Sequence, residues 1–118
     1  MASDTIKKSK RLHQMIGDAN TIAIIGHIHP DGDCIGSTMA MYNYIIDNYE
    51  GKTIQVYAEE FSPDFMIING TDKINHLNLS YLYPIGDIWL YPSVPNKYIL
   101  AFSINTYDIK VFKASQIV

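Results

Sequence analysis

Thr21-Ile22-Ala23-Ile24-Ile25-Gly26-His27-Ile28-His29-Pro30-Asp31-Gly32-Asp33-Cys34-Ile35-Gly36-Ser37 is the stretch from which this chain is read. Its opening is a near-continuous β-branched run. Continuous rather than alternating hydrophobicity marks a strand covered on both faces, as in a parallel sheet. The polar loop His27 to Asp33 follows. From Cys34 to Tyr49 apolar residues return at helical spacing, at Ile35, Met39, Met41, Tyr42, Ile45 and Ile46, and Gly51 ends that segment. Thr53-Ile54-Gln55-Val56-Tyr57-Ala58 then reads as a second strand. Strand, loop, helix and strand within about 40 residues form a βαβ unit, expected to cross over right-handed. The predicted fold class is α/β, with a three-layer Rossmann-like parallel sheet.

Working outward, Ile6, Leu12, Met15 and Ile16 share one face of a predicted helix from Ser3 to Ile16, with Lys7, Lys8, Lys10 and Arg11 elsewhere. Ser3 or Asp4 is expected to cap it and Gly17 to end it. Its basic face reads first as solvated, with polyanion binding as the sharper alternative. Beyond Ala58 the pattern weakens. Pro63 to Ile68 suggests a short helix ended by Asn69-Gly70, and Asp72 to Leu77 a further helical turn or a brief strand. Asn78 to Lys97 carries Pro84, Pro92 and Pro95 among Tyr81, Tyr83, Trp89 and Tyr91, and reads as irregular except for a short strand around Ile88-Trp89-Leu90. The aromatic residues of that stretch suit ordinary packing better than base stacking, because no basic groove accompanies them. Tyr98 to Ile104 is a third strand, and Asn105 to Asp108 a loop. A parallel strand should lead into a covering helix, and only ten residues follow Asp108. The domain is therefore expected to be cut short, with self-association or a partner covering the incomplete sheet.

The 118 residues amount to one small domain or a piece of a larger one, and 47% hydrophobic residues is too many for a disordered chain. A net charge of −3 and a pI near 5.7 supply no overall basic field for nucleic acid or an anionic membrane. One cysteine excludes an intrachain disulfide, a CxxC pair and a cysteine zinc cluster. No apolar run is long enough for a signal peptide or a membrane span, so the expected setting is the cytoplasm.

In doubly wound sheets ligands bind at the carboxyl ends of the strands. His27 to Asp33 sits there and offers two imidazoles and two carboxylates, with Pro30 and Gly32 bending the backbone. Carboxylate with imidazole suits manganese, iron or zinc, and the oxygen-rich balance leans toward manganese. The plainer reading makes Asp31-Gly32 a turn, Asp33 the cap of the following helix and His29 a solvated residue. A P-loop is excluded because no Gly-Lys-Ser/Thr follows, and an EF-hand because its acidic spacing and final glutamate are missing. Cys34, in the first turn, reads as a small buried residue rather than a reactive thiol. His13 and His76 have no partner visible in the sequence.

The string Gly26-His27-Ile28-His29-Pro30-Asp31-Gly32-Asp33-Cys34-Ile35-Gly36-Ser37 resembles the first motif of the DHH-family phosphoesterases, of the bacterial oligoribonuclease and 3′-phosphoadenosine-5′-phosphate phosphatase type. Similarity extends through Phe61 to Ile74 and resumes at Tyr98 to Asp108. The resemblance implies two manganese ions and hydrolysis of phosphate esters by a metal-activated water, with short oligonucleotides or nucleotide 3′-phosphates as substrates. Carried onto this chain, His27 and Asp31 would bind one metal and Asp33 the other. The family's bridging aspartate ends the next central strand. The best match there is Ile104-Asn105-Thr106-Tyr107-Asp108, which puts an amide, Asn105, at the bridging position and Asp108 at a second acidic one. The Asp-His-His motif and the C-terminal substrate domain are absent from these residues. The resemblance thus implies the N-terminal part of a DHH domain over residues 1–118, a truncated or degenerate phosphoesterase with little activity of its own. The alternative is a non-catalytic nucleotide- or protein-binding module.

Overall fold

Ile22, Ala23, Ile24 and Ile25 are all buried, so the first strand, β1 (Thr21–Ile25), is covered on both faces as its composition predicts. A computed structural model of the chain describes residues 2–26, 29–76, 87–93, 98–103 and 108–113. Ahead of β1 runs α1 (Ala2–Asp18); after it come α2 (Gly32–Asn48) and β2 (Thr53–Ala58). Two 3-10 turns, Pro63–Ile67 and Thr71–Lys73, lead to β3 (Ile74–His76), and three more strands complete the order: β4 (Ile88–Ser93), β5 (Tyr98–Ser103) and β6 (Asp108–Lys113).

The six strands form one sheet in the order β3-β2-β1-β4-β5-β6. β3, β2, β1 and β4 run parallel, which makes the domain α/β and Rossmann-like. β5 and β6 add on antiparallel. This corrects the reading of Tyr98–Ile104 as a parallel strand awaiting its helix. Only residues 94–97 separate β4 from β5, and 104–107 separate β5 from β6. Connections that short join antiparallel neighbours, whereas a parallel crossover needs a dozen residues or more. Asp108 accordingly opens a strand rather than closing a loop. Pro92 is accommodated in β4 because the pairing with β1 ends at Leu90, so its missing amide costs no bond to that neighbour.

The core gathers Leu12 and Ile16 of α1, Ile35, Met39 and Ile45 of α2, Ile22 and Ile24 of β1, Val56 of β2, and Ile88 and Leu90 of β4. The two helices also meet directly. His13 Nε2 lies 2.6 Å from the Tyr44 hydroxyl, which supplies the partner that the sequence left unassigned. Tyr49, packed edge-on against Tyr44, has its phenol pushed up by burial and then by Tyr44. Lys52 Nζ donates to the carbonyl oxygens of Gly17 and, at 2.6 Å, Ala19, closing the end of α1. Lys7, Lys10 and Arg11 are exposed, as the amphipathic pattern predicts. Because α1 begins at Ala2, Ser3 and Asp4 lie inside its first turn instead of capping it. Among the described residues no helix is long and apolar enough to cross a membrane. Tyr81, Tyr83, Pro84 and Pro95 lie outside the described residues.

Candidate functional site

The site grows from the tight join between β1 and α2. Gly26 is held to the sheet by its amide, which donates to the Tyr57 carbonyl oxygen at 2.9 Å. A Cβ at Gly26 would stand 2.8 Å from Cys34 Sγ, 3.6 Å from Thr38 Oγ1 and 3.7 Å from the Ala58 methyl group. Only glycine lets the strand end come this close to the helix. Thr38 is fully buried, and its hydroxyl has no hydrogen-bond partner among the described residues. Cys34 is buried too, in line with a packing role.

His27 and Ile28 lie outside the described residues. The chain re-enters at His29, which is exposed and holds φ at 52°, in the left-handed region that favours glycine. Its amide donates to Glu59 Oε1 at 3.1 Å, so the end of β2 steadies this bend. Asp31 is the N-cap of α2, with Oδ1 accepting the Cys34 amide at 2.9 Å. Capping therefore belongs to Asp31 and not to Asp33, which sits in the first helical turn. There its charge complements the positive end of the helix dipole. Both aspartates are exposed.

Gly32, between them, is roofed by Phe65 from the first 3-10 turn. A Cβ at Gly32 would lie 3.3 Å from Phe65 Cε1 and 3.6 Å from Cζ. Phe65 stacks with Phe61 at a centroid distance of 6.4 Å, and Phe61 meets the His76 ring at 5.1 Å. His76 Nδ1 also lies 4.0 Å from Glu60 Oε1. Sequence reasoning missed Phe65 and Glu59 as neighbours of the loop. The signal for Phe65 was faint: two phenylalanines four apart, just past the carboxyl end of β2.

Asp108 is not brought to this loop. It pairs with Ser103, Ser103 with Ile88, and Ile88 with Ile22 at the start of β1. That sets Asp108 three strands from β1 and near the amino end of the parallel strands, about 14 Å across and about 10 Å back from Ile25. Asn105 lies outside the described residues, bracketed by that Ser103–Asp108 pair. On the side of β1 away from β2 the parallel neighbour is β4, and its carboxyl end reads Tyr91-Pro92-Ser93, without a carboxylate. Asp31 and Asp33 are oxygen donors of the kind that hard divalent ions take, and so fit manganese in type. Among the described residues no three His, Cys, Asp or Glu side chains come together as a metal cluster.

A parallel sheet with an acidic, glycine-bearing loop at the carboxyl end of its central strand is the arrangement at which α/β domains generally bind ligands. The model of the DHH family, N-terminal domain, matches residues 21–114. The chain belongs to the DHH family, and that membership points to phosphoesterase activity. No curated protein matches it.

Proposed function

We propose that this chain is a degenerate manganese-dependent phosphoesterase that retains metal and nucleotide binding, of the type that hydrolyses short oligonucleotides or nucleotide 3′-phosphates. The reading rests on one observation: Asp31 and Asp33 flank Gly32 at the carboxyl end of β1, inside the span matched by the family model. His27, Asp31 and Asp33 would hold the ion. When bound, manganese acts as a Lewis acid that acidifies water and offsets phosphate charge. The chain's own residues do the positioning. Gly26 brings the loop against α2, the Glu59 carboxylate fixes the His29 amide, and the Asp31 cap at Cys34 orients one carboxylate with respect to the helix.

Low turnover by these 118 residues is part of the proposal. The family resemblance implies a bridging aspartate at the end of a central strand next to β1, and the end of β4, Tyr91-Pro92-Ser93, has no carboxylate to fill that place. The same observation favours nucleotide binding without efficient hydrolysis as the second reading. A cytoplasmic setting suits the lone thiol of Cys34, which stays reduced there.

Calorimetry with Mn²⁺, followed by incubation with a nucleotide 3′-phosphate and a short oligoribonucleotide, tests this. Weak Mn²⁺ binding that His27→Ala and Asp31→Ala abolish, with hydrolysis near background, is expected. Variants that bind like the parent would refute the ligand assignment, and clear Mn²⁺-dependent turnover would refute the degeneracy.

A further inference from the structure

We propose that Phe65 and Phe61 form a stacking platform for a nucleobase beside the acidic loop; the inference rests on the phosphoesterase reading above. Three observations carry it. The Phe65 ring packs against Gly32, its Cε1 3.3 Å from where a Cβ would stand, so an aromatic side chain adjoins the backbone between the two aspartates. Phe61 extends that surface, stacked on Phe65 with an interplanar angle of 26°. Both rings pack on the core along one side and remain partly exposed.

The same 3-10 turn exposes Met66 at 51% and Ile67 at 91%, so the turn that carries Phe65 is largely apolar at its surface. Acidic groups that engage phosphate through a cation, next to a flat apolar surface, match a ligand that joins phosphate to a planar ring. A nucleotide is that ligand. Aromatic rings take any base by its π-face, so the platform confers affinity for the base without choosing among bases.

The test compares two probes with equal phosphate charge, the dinucleotide pdApdA and its abasic counterpart, titrated calorimetrically into the chain with Mn²⁺. Phe65→Leu and Phe61→Leu retain apolar volume at the core, and circular dichroism checks that each folds; if one does not, the other decides. The wild-type chain should bind pdApdA about tenfold more tightly than the abasic probe, the size of one base–aromatic stack. Each leucine variant should lose most of that preference while its affinity for the abasic probe is unchanged. Equal, Mn²⁺-dependent binding of both probes by the wild type would overturn the platform and leave the metal–phosphate reading standing. Binding of neither probe would overturn both.

Discussion

Thr21 and Asp87 clasp each other through both backbone and side chain. The Asp87 amide donates to the Thr21 carbonyl oxygen at 2.8 Å and to its hydroxyl at 2.9 Å. In return, Asp87 Oδ2 accepts the amides of Thr21 at 3.0 Å and Asn20 at 2.7 Å. The clasp sits one residue ahead of the Ile22–Ile88 pair, where β4 joins β1 in parallel. It thereby ties the start of β4 to the start of the central strand.

The pH dependence of stability follows from that clasp. The amides of Thr21 and then Asn20 hold the Asp87 carboxyl below its ordinary value, with Lys52 adding a smaller effect in the same direction. A group whose pKa is depressed by folding stabilises the fold fully above its unfolded pKa, about 3.9 for aspartate, and loses that contribution as pH falls through the folded value. Acid unfolding followed by fluorescence of the sole tryptophan, Trp89, should therefore begin at higher pH in Asp87→Ala, which should also melt at lower temperature at pH 7. Superimposable acid transitions would remove Asp87 from this role.

Gly26 should be intolerant of any side chain. The 2.8 Å approach of a Cβ to Cys34 Sγ predicts that Gly26→Ala loses about 1–3 kcal/mol in urea unfolding, the usual cost of overpacking. Cys34→Ala removes the obstructing sulfur, so the double variant should recover part of the loss. Additive losses would mean that the two residues do not press on each other.

Asp31 has two tasks that substitution can separate. Asp31→Ala removes the cap of α2 and should cost about 1 kcal/mol. Asparagine caps nearly as well as aspartate, so Asp31→Asn should stay within a few tenths of a kcal/mol of the parent. Asp31→Ala should abolish Mn²⁺ binding and Asp31→Asn should at least weaken it, because each removes the charge. If Asp31→Asn keeps full Mn²⁺ affinity, Asp31 is a cap and nothing more.

The sequence made some of this legible and concealed the rest for physical reasons. β1, α2 and β2 stand out because a strand buried on both faces and a helix buried on one have distinct periods, and both patterns run unbroken from Thr21 to Ala58. The family string is legible because Gly26, Asp31 and Gly32 answer to local geometry: a close approach, a cap and a roof. Strand direction is different. Tyr98–Ser103 has the same apolar run whichever way it points, and only the short segments before and after it betray the hairpins. Ile88-Trp89-Leu90 reads as a strand, but nothing local shows that it pairs with β1, so motif order assigns Asp108 to an end of the sheet where the register does not put it. The contact of Phe65 with Gly32 joins residues 33 positions apart and exists only once β2 lies beside β1.

The metal centre is proposed to lie in the loop from His27 to Asp33, at the carboxyl end of β1. Amide NMR spectra of the chain during Mn²⁺ titration test it most directly, because the paramagnetic ion broadens the resonances nearest to it. Broadening should appear first at Gly26, His29, Asp31, Gly32 and Asp33, fade in Asp33→Asn, and spare Ser103 and Asp108 at the far end of the sheet. Broadening centred on Ser103 and Asp108, or unchanged in Asp33→Asn, would contradict the account.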